Sequence, residues 1–292
     1  MRIRYTLAAC AGLSVLMGCD KDVSGTDTQL QPAAIIRYVN AVNDTSPLDF
    51  RFVDGSIEGS PQYANVLFRT FTPYQRARAG ERRIRIFTNP NLYANAAAVA
   101  AQQHLDTTFT FEANARYTII SYGQSRTGSA VRHRLVIIRD ELPTTLTATQ
   151  VGVRAIHAAP AAGNVDLYVR TSETPAAIAG APALANVAPG AASAYLPLAA
   201  RPVGGVPALT YRFDITAPGS TTAIALANSV ASGLLGVPGT PAQNPLVGFQ
   251  VGRTAITAIV FPASVVGSRA PAALTTASIL FLPDRALDST EP

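Results

Sequence analysis

The chain has 292 residues, 48% apolar and only 14% charged, which excludes a disordered polar chain because there is enough apolar surface to offset the entropy of ordering. Its 21 glycines and 21 prolines disfavour a long helical bundle, and the short apolar runs between them suit strands. A formal charge of +5 is small for this length and argues against a polynucleotide partner.

In chain order, the first segment is an export address. Arg2 and Arg4 give a basic start, and Thr6 to Leu16 is an uncharged apolar stretch too short to span a bilayer. Leu16-Met17-Gly18-Cys19 resembles the lipobox of bacterial lipoproteins, although Met17 is bulkier than the small residue usual there. The resemblance implies a signal peptide over residues 1–18, a lipid anchor on Cys19, and a place in the bacterial cell envelope, on the periplasmic face or the cell surface. Cys10 would leave with the signal, so the mature chain could form no internal disulfide. Residues 19–34 are polar and small, a flexible tether with an average reach of about 20 Å. Past it, Ile178 to Ala200 is apolar but broken by Pro182, Pro189, Gly190 and Pro197, so it does not read as a membrane span.

The body contains a repeat. Arg37-Tyr38-Val39-Asn40-Ala41 and Leu48-Asp49-Phe50 recur 117 residues later as Arg154-Ala155-Ile156-His157-Ala158 and Val165-Asp166-Leu167. Ala64-Asn65-Val66 and Tyr74 recur as Ala185-Asn186-Val187 and Tyr195, at an offset of 121. Each copy closes on an apolar strand running into an aspartate, Asp140 in the first and Asp284 in the second. The copies are therefore placed at residues 35–143 and 151–288, joined by a polar linker at 144–150, and each is expected to fold independently.

Strands are predicted in the first copy over Ile35 to Val42, Leu48 to Val53, Val66 to Tyr74, Arg82 to Thr88, Thr107 to Glu112, Arg116 to Gly123 and His133 to Asp140. Asn91 to Asp106 is alanine-rich and is read as a short inserted helix. About seven short strands separated by turns predict an all-β chain of two tandem immunoglobulin-like β-sandwich domains.

The Arg-x-x-Asn or Arg-x-x-His strand, Val165-Asp166-Leu167-Tyr168-Val169, the Ala-Asn-Val segments leading to Tyr195-Leu196-Pro197-Leu198, and Tyr117-Thr118-Ile119-Ile120-Ser121-Tyr122-Gly123 together resemble the bacterial domain of unknown function 4397 family. The resemblance covers nearly all of the chain past Ala34, in two copies. It implies a β-sandwich found in exported bacterial proteins, with no established activity. Asn40 departs from the usual histidine, and the stretch from Ala231 to Pro245 is longer than the pattern.

Catalytic signals are missing. His104, His133 and His157 have no metal-ligand spacing, there is no Gly-x-Ser-x-Gly elbow, and no glycine-rich lysine loop for phosphate. No metal or cofactor is expected. His157 reads as a strand-end histidine bonded to backbone, because Asn40 replaces it in the first copy, and Asp49 and Asp166 read as structural. The one hotspot is basic: Arg76, Arg78, Arg82, Arg83 and Arg85, with Arg76 and Arg78 on one face by alternation and Arg83 and Arg85 likewise. Arg76, Arg78, Arg83 and Arg85 are the candidate anion-binding residues of a basic sheet face. The expected function is a non-enzymatic, lipid-anchored envelope module for binding or structure, touching the membrane through its anchor and with an acidic envelope polymer or another envelope protein as its further partner. A binding protein for acidic envelope glycan or anionic lipid through those arginines is the alternative, and an unrecognised hydrolase the third.

Overall fold

A computed structural model describes residues 32–45, 47–54, 61–88, 103–171, 177–200, 211–228 and 252–285, with short pieces at 97, 234–235 and 246–247. The described chain is all-β. The first half holds β1 (Ala33–Val42), β2 (Leu48–Phe52), β3 (Tyr63–Val66), β4 (Thr70–Phe71), β5 (Gln75–Arg78), β6 (Gly80–Thr88), β7 (Gln103–Phe111), β8 (Arg116–Gly123) and β9 (Arg134–Arg139). The second holds β10 (Gln150–His157), β11 (Val165–Thr171), β12 (Leu184–Val187), β13 (Leu196–Ala199), β14 (Tyr211–Thr216), β15 (Ala223–Asn228), β16 (Leu234–Leu235), β17 (Leu246–Val247), β18 (Ala255–Phe261) and β19 (Ser278–Arg285).

Each half is a sandwich of two sheets. In the first, β3-β2-β6-β7 faces β4-β1-β8-β9, with β5 also on β1; in the second, β12-β11-β14-β15 faces β13-β10-β18-β19. In both, the opening strand runs parallel to a late one, Ile35 beside Arg116 and Gly152 beside Ala255. Ile36, Tyr38, Phe50, Ile84, Ile86, Phe111 and Ile119 fill the first sandwich, and Val153, Leu167, Phe213, Ile215 and Val260 fill the second.

A third apolar cluster lies between the halves. Val39 and Ala41 of β1, Ile120 and Tyr122 of β8, Ile156 and Ala158 of β10, and Ile259 and Phe261 of β18 meet there with Leu282. The four sheets therefore stack, and the two inner ones are covered on both faces. This explains why β1 is buried at every residue from Ile36 to Val42 and β18 along its whole length, where a half-exposed strand would alternate. Cutting at the polar linker would expose this cluster to water.

The Val66 to Tyr74 stretch is not one strand. β3 pairs with β2 in the outer sheet and β4 with β1 in the inner one, and the chain crosses between them with Arg69 left-handed at φ 61°. The helix expected over Asn91 to Asp106 lies mostly outside the described residues, and its last part, from Gln103, is strand β7.

Candidate functional site

The predicted arginine face is divided by the fold. Arg76 and Arg78 stand on β5 of the inner sheet, while Arg83 and Arg85 stand on β6 of the outer sheet; Ala77, Ile84 and Ile86 between them point into the shared core. The two pairs therefore stand on two different sheets and do not share one sheet face. Arg83 donates to both oxygens of Asp106, at 2.8 and 2.7 Å, and Arg85 Nε donates to Asp106 Oδ2 at 2.9 Å. The guanidinium of Arg83 holds the Asp106 carboxyl below its usual range, with Arg85 adding to the effect. Arg82 bonds Asp54 and lies over the Phe52 ring, and Arg78 comes within 3.7 Å of Asp54. The sequence does not show this neutralisation, because Asp54 and Asp106 are distant from the arginines along the chain.

The repeat-equivalent polar residues are engaged by the backbone. Asp49 Oδ1 accepts the Asn65 backbone N–H at 2.8 Å and Asp166 Oδ1 accepts that of Asn186 at 2.7 Å, with both asparagines left-handed at φ 55°. Asparagine tolerates that conformation better than most residues, so the shared Ala-Asn-Val segment and the shared aspartate form one structural device. Asn40 Oδ1 accepts the Val42 N–H at 3.0 Å, and His157 Nδ1 accepts the Ala159 N–H at 3.3 Å, two residues on in each case. His157 Nε2 must then carry the proton it donates to Gly163 O at 2.7 Å, and burial keeps the ring neutral by lowering its pKa.

A buried polar cluster, which the motif reading does not single out, sits between the inner sheets. Arg37 of the first half is paired with Asp284 of the second, and Arg154 of the second with Asp140 of the first, all four side chains being almost fully buried. Each carboxylate also receives bonds from its own half. Asp140 Oδ2 accepts from Tyr74 at 2.8 Å and Thr118 at 2.7 Å, and Asp284 Oδ2 accepts from Tyr195 at 2.8 Å and Thr257 at 2.6 Å. Arg37 Nε donates to Thr118 and Arg154 Nε to Thr257, both at 2.8 Å. The guanidinium groups lie over the rings of Tyr74 and Tyr195, at 4.6 and 5.1 Å. Eight residues thus form two equivalent quartets whose ion pairs cross between the halves. Burial opposes charge on Arg154, but Asp284 and Asp140 outweigh it and raise its pKa; burial raises both tyrosines. The signal for the cluster is the repeat itself, since each copy opens on an arginine and closes on an aspartate.

His104 and His133 come together with ring centroids 5.9 Å apart, although distant in sequence. His104 Nε2 lies 2.6 Å from Thr88 Oγ1, whereas both ring nitrogens of His133 are buried without a hydrogen-bond partner. Burial, with His104 adding to it, pushes His133 down to about 3. Among the described residues no three His, Cys, Asp or Glu side chains form a metal-holding group, and no helix is long and apolar enough to cross a membrane. Cys19, the candidate lipid site, lies outside the described residues.

Residues 34–168 match the sequence pattern of a family described as "Domain of unknown function (DUF4397)", a match that covers the first half and continues through β10 into β11. No curated protein matches the chain. Among solved structures, the chain is similar to "Putative cell adhesion protein from Parabacteroides distasonis", at 9% identity, with 86% of this chain and 98% of that one covered and a TM-score of 0.19. At that score the likeness carries no argument about fold or function.

Proposed function

We propose that the chain is a non-enzymatic, lipid-anchored protein of the bacterial cell envelope, built from two tandem copies of the unit that the family describes and serving as a binding or structural module. The observation that carries this reading is what the repeated polar residues do. Asp49 and Asp166, Asn40 and His157, and the two Arg-Tyr-Thr-Asp quartets are repeated because they hold strands, turns and halves together. Groups bonded in this way are already saturated and are poor acids, bases or nucleophiles. The equivalence also supports a second copy of the unit beyond the matched residues.

The anchor rests on Leu16-Met17-Gly18-Cys19 after an apolar stretch. The test is Cys19→Ala, expressed in a bacterial host fed a labelled fatty acid. The parent chain should incorporate label and partition into the detergent phase, and the variant should do neither. A variant that still takes up label would overturn the anchor.

A further inference from the structure

The strands sort the exposed charges by end. β1 and β8 are parallel, as are β10 and β18, and Val265 N bonds Asn43 O while Arg116 bonds Asp284 O, so all four strands run from one near end to one far end. The chain comes in at Ala33 and β19 finishes at Arg285, both at the near end. Of the described carboxylates, Asp54, Glu81, Glu112 and Glu141 are exposed at the near end, and Asp106 lies mid-strand between its two arginines. The described carboxylates of the far end, Asp44, Asp49 and Asp166, are all buried and accept backbone N–H groups; Asp44 takes those of Ser125 and Arg126 at 2.8 and 2.9 Å and lies 3.9 Å from the Arg126 guanidinium. Around it stand four exposed arginines: Arg126, Arg132 and Arg134 on or beside the loop from β8 to β9, and Arg269 on the loop from β18 to β19.

The same end exposes apolar side chains. Val266, at the tip of the β18–β19 loop beside left-handed Gly267, is 91% exposed. Leu67 and Phe71, 48% and 40% exposed, flank Arg69, which ties their crossover to that loop by donating to Pro262 O at 2.5 Å and to Thr276 O. A hydrophilic polyanion would use the arginines and gain nothing from Val266. An anionic bilayer takes both, with guanidinium forks on headgroup phosphates and small apolar side chains at the acyl boundary.

We propose that this far end docks on the surface of an anionic lipid bilayer. Docking does not require the lipid on Cys19.

The test uses the full chain carrying Cys19→Ser, co-sedimented with vesicles of mixed phosphatidylglycerol and phosphatidylcholine and with vesicles of phosphatidylcholine alone. Arg126→Gln with Arg269→Gln should weaken binding to the anionic vesicles by about 25-fold, taking about fivefold per arginine, while Arg139→Gln with Arg253→Gln, an equal charge change at the near end, should not. Val266→Asp should also weaken it. Equal binding to both kinds of vesicle would overturn the inference, as would loss on replacing Arg76, Arg78, Arg83 and Arg85 with none on replacing the loop arginines. Binding to soluble polygalacturonate as tight as to vesicles, and indifferent to Val266→Asp, would replace the bilayer with an acidic glycan. None of these outcomes depends on whether Cys19 carries lipid in the cell.

Discussion

Arg37 and Arg83 are both strand arginines within bonding distance of an aspartate, and the fold gives them opposite weight. Arg37 has its guanidinium sealed between two sheets, with Asp284, Thr118 and the Pro283 carbonyl taking its donors. Arg83 is half in water and shares Asp106 with Arg85. Removing one partner of the first pair leaves a charge that cannot be resolvated, whereas removing one partner of the second leaves a charge that water accepts. A cluster of arginines in a sequence is therefore a poor guide to where charge matters: the densest run is paired at the surface with Asp54 and Asp106, and two isolated arginines join the halves.

The largest expected effect breaks the buried side of this contrast. Asp284→Ala leaves Arg37 without its carboxylate and Tyr195 and Thr257 without their acceptor, and should cost about 3–5 kcal/mol in urea unfolding. The crossing of the ion pairs gives a sharper check by a double-mutant cycle. Arg37→Ala and Asp284→Ala should couple by about 1–3 kcal/mol, because they share a contact, although one belongs to each half. Additive losses would mean that this ion pair does not itself hold the halves together and that the apolar cluster and the remaining crossing bonds do.

His133 comes next, as a buried polar group that lacks the partners Arg37 has. Its ordinary pKa of 6.5 is pushed down to about 3 by burial and by His104. The unfolded chain therefore binds this proton below its ordinary value while the folded one refuses it until about 3, and stability is lost as pH falls through that window. At about pH 5 the loss from this one group is about 2 kcal/mol. His133→Phe should flatten the decline in unfolding free energy between neutral pH and pH 5, though not abolish it, because His104 and His157 are lowered in the same direction. An unchanged slope would show that the His133 ring is wet.

The sequence was informative where a side chain's role is local or repeated. Asp49 and Asp166 were legible as structural from their equivalence in the repeat, and His157 from its replacement by Asn40, since both Asn40 and His157 accept a backbone N–H two residues on. Alternation in Arg83-Ile84-Arg85-Ile86 placed both isoleucines in the core. What stayed hidden needed the third dimension. The crossing of Arg37 to Asp284 joins residues at opposite ends of the body, so spacing gives no hint of it. The continuous burial of β1 reads as an apolar strand, but only the stacked inner sheets explain it. The split of Val66 to Tyr74 turns on one left-handed arginine, a residue type that seldom marks a break.

The smallest expected effect tests the exposed side of the contrast. Arg83→Gln with Arg85→Gln keeps Ile84 and Ile86 in the core and leaves Asp106 exposed enough to be hydrated, so the unfolding midpoint should stay with the parent chain. What should change is Asp106, whose carboxyl is held low chiefly by Arg83; its titration, followed by nuclear magnetic resonance, should move up toward the ordinary aspartate range. The same variant also tests these arginines as an anion site. Because Asp106 already takes both guanidinium groups, a polyanion would have to displace a carboxylate fixed on the adjacent strand, and binding by the parent chain at physiological salt should differ little from the variant's. A marked loss of polyanion binding in the variant would show that Asp106 orients these arginines for a ligand instead of satisfying them.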